Sequence, residues 1–236
     1  MRSRSVAVGA GALLSFALLV RRLSAETRPA QVSALEGKAA RARDGGKASP
    51  LSVGSAISQG EVITTGDESR LELRFADASL LRVGPRAKLK LSAAHFGDGP
   101  ARRHMTARLF FGNIWAKVTS AIQGEQKFQI ETENAVAGVR GTTFRVEARQ
   151  DKSVLVRVYA GAVAVAKSLP LGAPGQPAGP GERREVAGPD EVSRDQWEKM
   201  VGKQMQILIA ADGTPGDPTG LAAADEKADD LGSWIP

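Results

Sequence analysis

The sequence contains no cysteine. That excludes disulfides, thiolate metal sites, thiol nucleophiles and an acylated lipoprotein terminus. Histidine is nearly as scarce. His95 and His104 are the only two, in a glycine-flanked stretch that reads as irregular. Two histidines without cysteine make a poor metal site, so both are read as surface or loop residues. Aromatics make up 5% of the chain, with a single tyrosine. A core must therefore be assembled from Val, Leu, Ile and Ala. No Gly-x-Ser-x-Gly elbow, phosphate loop or dinucleotide fingerprint is present. Gly138-Val139-Arg140-Gly141 has two glycines without the required spacing. These absences predict a non-enzymatic chain with no catalytic residues, no cofactor and no metal.

What is present is ordinary for a globular protein: 236 residues, 42% hydrophobic and 25% charged. One domain with appendages is expected at this length. Residues 1–25 differ from the rest. Arg2 and Arg4 precede an uncharged run from Val6 to Val20, and Leu23-Ser24-Ala25 ends in small residues. This is the three-part pattern of a secretory signal, with a mature terminus expected at Glu26. The run is shorter than the ~20 residues that span a bilayer. Arg21 and Arg22 follow it directly, which keeps an uncleaved inner-membrane anchor as the alternative. A twin-arginine signal is not expected, because its pair would precede the apolar run. The protein is expected to be exported, to the periplasm or cell envelope.

The net charge of +6 hides an asymmetry. Residues 26–181 carry +8 and residues 182–236 carry −6. A basic body thus bears an acidic tail, which is expected to fold onto it rather than leave it free for nucleic acid.

Residues 31–167 read as strands. Leu71, Leu73 and Phe75 alternate with Arg70, Glu72 and Arg74. The same period of two runs through Leu89 and Leu91, Phe128 and Ile130, Phe144 and Val146, and Val154, Val156 and Val158. Turn signals stand between the runs, among them Gly84-Pro85, Gly97-Asp98-Gly99-Pro100 and Gly112-Asn113. The expected fold is all-β: short strands stacked as a β-sandwich or β-solenoid-like body over residues 26–167, with a short helix and a strand appended. A weak echo links Ile63-Thr64-Thr65 before Phe75 to Ile130-Glu131-Thr132 before Phe144. A Pro/Gly-rich linker is expected at 168–182 and an acidic segment at 183–236. In that segment Ser193 and Gln196 form a capping box, with Val192 and Trp197 as a staple, and predict a helix near 194–202. Met205, Ile207 and Ile209 then alternate as a strand, and Trp234 is expected to anchor the chain end.

Arg70, Arg74, Arg82, Lys88 and Lys90 all take outward positions in these strands. They are the candidate binding face, for an anionic glycan or lipid headgroup. A solvated face with cross-strand charge pairs is the competing reading.

Two blocks resemble the FecR-domain family. The first is Ile57-Ser58-Gln59-Gly60-Glu61-Val62-Ile63-Thr64-Thr65-Gly66, then Ser69-Arg70-Leu71-Glu72-Leu73-Arg74-Phe75. The second runs from Phe128 to Phe144 and holds Val139-Arg140-Gly141-Thr142, followed by Tyr159-Ala160-Gly161-Ala162-Val163. The resemblance covers residues 32–167 and implies a β-rich, extracytoplasmic, non-catalytic domain that recognises another envelope protein. Val139, Arg140, Gly141, Thr142 and Phe144 are read as structural signature residues: a turn at Gly141, a core at Phe144 and a polar contact at Arg140. One departure is Asp77-Ala78-Ser79, where the family has Asp-Gly-Ser. Alanine resists positive φ, so a different turn is expected there. The family's cytosolic sigma-regulating segment is not seen ahead of the apolar run, so transcriptional signalling is not carried over. The expected partner is an envelope protein. The rival reading is a carbohydrate or peptidoglycan-binding module using the basic face, and clustered outward aromatics would favour it. Tyr159 is the one obvious outward aromatic in the assigned strands.

Overall fold

The computed structural model describes residues 30–43, 45–96, 103–119, 127–139, 141–168, 198–227 and 229–234. The expected export signal at residues 1–25, the Pro/Gly stretch beyond Ser168, and Arg140 and Trp197 lie outside the described residues. The strands follow in chain order: β1 (Ala30–Glu36), β2 (Ala39–Arg43), β3 (Ser49–Pro50), β4 (Ala56–Ile57), β5 (Glu61–Thr65), β6 (Arg70–Phe75), β7 (Leu80–Val83), β8 (Lys88–Phe96) and β9 (Arg103–Lys117). After these come β10 (Lys127–Glu131), β11 (Ala135–Val139), β12 (Thr143–Ala148), β13 (Val154–Ala160), β14 (Val163–Lys167), β15 (Glu198–Val201), β16 (Met205–Ile209) and β17 (Thr219–Gly220). Helix α1 (Ala223–Lys227) follows the last strand.

The strands form two layers. The first, in spatial order, is β4-β1-β6-β7-β9-β12-β13-β16-β17, antiparallel throughout. The second is β3-β2-β5-β8-β9-β10-β11-β14-β15, with β9 and β10 parallel. Strand β9 belongs to both: Arg103–Phe111 pair in the second layer and Gly112–Lys117 in the first. The layers close on each other across the core. Phe128 of the second layer stands edge-on between Phe75 and Phe144 of the first, with ring centroids 6.2 and 6.4 Å apart. Aliphatic side chains fill the remainder, as the scarcity of aromatics requires.

The path of the chain is simple: a hairpin within a layer, then a corner into the other layer. The corners fall at glycines, including Gly37, Gly66, Gly84, Gly141 and Gly161 between strands, and Gly112 within β9. Gly112 has φ +96°, and a Cβ there would lie 2.5 Å from Ala87 Cβ. So Gly112-Asn113 is the bend of one long strand and not the turn expected from the dipeptide. Beside it the register slips from Lys88↔Phe111 to Leu89↔Leu109, which makes Phe110 the extra residue of a bulge.

The repeat is real but lies elsewhere than in the Ile63 and Ile130 echo. Phe75–Ser79, Arg149–Ser153 and Ala210–Thr214 form one turn three times. In each, the first N–H donates to the fifth carbonyl, and the fourth N–H donates to the first carbonyl. The central aspartates Asp77, Asp151 and Asp212 each accept from the fifth residue's N–H at 3.0, 2.9 and 2.8 Å. The fourth positions, Ala78, Lys152 and Gly213, all have positive φ. Ala78 therefore adopts the left-handed geometry that its side chain disfavours.

The helix expected near 194–202 is corrected where the structure describes it. Glu198–Val201 are the strand β15, paired along β14. Val201 is fully buried and Met200 is 60% exposed, the alternation of a strand. A run this short satisfies both periods, and β14 otherwise leaves an open edge of hydrogen-bonding groups. Met205, Ile207 and Ile209 lie on β16 as expected, so the acidic segment extends both layers. The one short helix described is α1.

Candidate functional site: a cationic row beneath an acidic strap

Cross-strand register sets one row of side chains on the outer face of the first layer. Glu72 stands opposite Arg82, Arg82 opposite Trp115, Trp115 opposite Arg145, Arg145 opposite Arg157, and Arg157 opposite Gln206. They face outward because their neighbours, including Leu71, Leu73, Leu81, Ile114, Phe144 and Val158, point into the core. Arg145 beside Arg157 is a like-charge pair and is unfavourable unless counter-charged.

The counter-charge comes from the C-terminal segment. Leu221 N–H donates to Gln204 O, and α1 and the turn after it then lie over the row. Arg145 Nη1 bonds Asp229 Oδ1 at 2.8 Å and Asp230 Oδ1 at 3.1 Å. Asp230 also meets Arg70 at 3.5 Å, and Asp225 meets Arg157 at 3.9 Å. Arg82 holds the strap by its backbone, donating to Leu231 O at 2.8 Å and Gly232 O at 3.0 Å. The Arg82 guanidinium lies 4.8 Å from the Trp115 ring and 5.8 Å from the Trp234 ring. Leu231 is fully buried.

The electrostatics follow from this packing. Burial opposes the charge of Arg145, yet Asp229 and Asp230 outweigh it and raise its pKa above the ordinary arginine value. Burial, then the Asp229 charge, pushes the Tyr159 pKa above the ordinary phenol range. Arg145 Nε is buried with no hydrogen-bond partner.

The expected face is thus divided. Arg82 is enclosed: its side chain is 11% exposed and pairs with buried Glu72 at 2.9 Å, and Ser33 Oγ donates to the same carboxylate at 2.7 Å. Arg70 lies at the rim of the strap, and Arg74 is exposed on β6. Lys88 and Lys90 lie on the other layer, where Lys88 and Arg108 stand 5.2 and 5.5 Å from the Phe110 ring. Tyr159 is half-buried on the outer face, against Asp229 of the strap. Arg145 and Arg157 were legible only as polar alternates on their strands.

Phe110 and Phe111 were missed, because adjacent strand residues normally face opposite sides. The bulge leaves them 41% and 43% exposed. They line a cleft of about 330 Å³ with Asn134, Arg149, Gln150 and Lys152. His95 and His104 are cross-strand partners on β8 and β9 rather than loop residues. Among the described residues, no three potential ligands come together to hold a metal.

The described signature residues, Val139, Gly141, Thr142 and Phe144, lie at the corner between β11 and β12. Val139 and Phe144 are buried, Gly141 has φ +61°, and Thr142 Oγ1 donates to Ala162 O at 2.9 Å. At the opposite corner, a Cβ on Gly161 would lie 2.7 Å from Gly141 O.

Fold and site together define a two-layered all-β module whose outer face is covered by its own C-terminal segment. Residues 61–164 match the model of the FecR protein family. No curated protein matches the sequence. Two solved structures of a candidate anti-sigma factor from Parabacteroides distasonis resemble it, at 14% and 15% identity and TM-scores of 0.49 and 0.47. Each match covers 71% of this chain, and 62% and 63% of those chains, less than two thirds of their length. Among the described residues, no helix is long and apolar enough to cross a membrane.

Proposed function

We propose that this chain is an exported, non-enzymatic binding module of the bacterial cell envelope that recognises another envelope protein. The observation that carries the reading is the outer face of the first layer, where guanidinium groups and Trp115 hold a peptide, the chain's own strap. Arginine and tryptophan are the residue types that dominate protein-recognition sites. Recognition by strand edges carries less weight, since three of the four sheet edges are two-residue strands, the protected kind. Chemical cross-linking in intact cells followed by mass spectrometry is the test. A discrete protein adduct is expected, and retention of glycan alone would overturn the reading.

A second reading has one observation in its favour. Phe110 and Phe111 supply the clustered, solvent-facing aromatics that a carbohydrate or peptidoglycan binder needs, close to Lys88. Co-sedimentation with purified peptidoglycan that is lost in Phe111→Ala would establish it.

A further inference from the structure

We infer that the cationic row of Arg70, Arg82, Arg145 and Arg157 is a docking surface for an acidic peptide segment of the partner, and that residues 221–234 occupy it as an intramolecular substitute. The inference rests on the reading of the chain as a protein-binding module and names the chemistry of the partner.

The strap shows what the surface accepts. It presents carboxylates at Asp225, Asp229 and Asp230, an apolar anchor at Leu231, two backbone carbonyls to Arg82 and an aromatic ring at Trp234. A partner segment of the same chemistry, acid-rich with a leucine and an aromatic downstream, meets every group of the row.

Three features mark the strap as an occupant that can leave. First, its deep apolar contact is concentrated in Leu231, whereas the layers share a continuous core. Second, most of its remaining hold is charge pairing, where desolvation offsets much of the attraction. Segments held this way open before the core does. Third, the fit is incomplete: Arg145 Nε stays buried and unpaired beneath it. A permanent cap would satisfy such a group, and a better-matched segment has a donor left to engage. Tethering gives the strap a high effective concentration, so it competes strongly while remaining displaceable.

The test uses the full chain and a fluorescent synthetic peptide of residues 221–236 as the probe. Asp229→Asn with Asp230→Asn loosens the strap and leaves the row intact. Fluorescence anisotropy should show this variant binding the peptide about tenfold or more tightly than the unaltered chain, with affinity falling as salt rises. Adding Arg145→Gln should abolish the gain. Equal peptide binding by both chains overturns the inference, as does loss of cooperative melting in the double variant, because the strap is then integral to the fold. Exchange of straps between copies, seen as a dimer in gel filtration, overturns it in favour of self-association. A cellular protein adduct without any gain in peptide binding sinks this inference alone. Absence of any protein adduct sinks the reading beneath it.

Discussion

Ala78 illustrates how a single residue can oppose its own backbone. It has φ +64° in a turn whose counterpart at Ala210–Thr214 places glycine at the same position. The left-handed region costs a residue with a Cβ about 1–2 kcal/mol, and glycine's greater chain entropy returns part of that. Ala78→Gly should therefore stabilise the protein by about 0.5–1 kcal/mol in urea denaturation. Asp151 and Asp212 of these turns give a pH signature. Hydrogen bonds from Ser153 lower the Asp151 pKa, and those from Thr214 lower that of Asp212. A carboxylate whose folded pKa is depressed adds stability that is complete above its ordinary value of 3.8. That stability is lost as the pH falls through the folded value. The stability gap between wild type and Asp151→Ala should accordingly shrink between about pH 7 and about pH 2. Arg82 also has a structural role, as the ion-pair partner of buried Glu72. Arg82→Ala strands Glu72 in a buried site and should cost about 3 kcal/mol or more, measured by the same denaturation.

At the scale of elements, period-two alternation was sufficient for β6, β12, β13 and β16, because each buries one face and leaves the other wet or strapped. Strand β9 was illegible for a physical reason. Its bulge at Phe110 and its bend at Gly112 break the alternation where the strand changes layers, and Gly112-Asn113 imitates a hairpin turn. Strand β15 was illegible because four residues carry too little pattern to separate strand from helix. Gly112→Ala is the sharp test of the corner. The new methyl group would meet Ala87 from a left-handed backbone, so a loss of about 2 kcal/mol or more is expected, from strain and overpacking together. A neutral result would show that β9 does not bend there.

At the scale of the whole molecule, charge asymmetry was the most informative property of the sequence. The opposite charges of the body, +8, and the C-terminal segment, −6, admitted a tail folded onto the body without requiring it. They did not foretell where. The row joins Arg82 to Arg145 through Trp115, residues far apart in sequence that only the pairing of β7, β9 and β12 brings together. The same pairing separates Lys88 and Lys90 from the other residues of the expected face.

The most direct measurement places a photo-cross-linking residue at Arg74, exposed beside the row, in living cells. Recognition of an envelope protein through this face predicts a discrete protein adduct, more abundant when Asp229→Asn and Asp230→Asn loosen the strap. No protein adduct at Arg74 in either chain would contradict it.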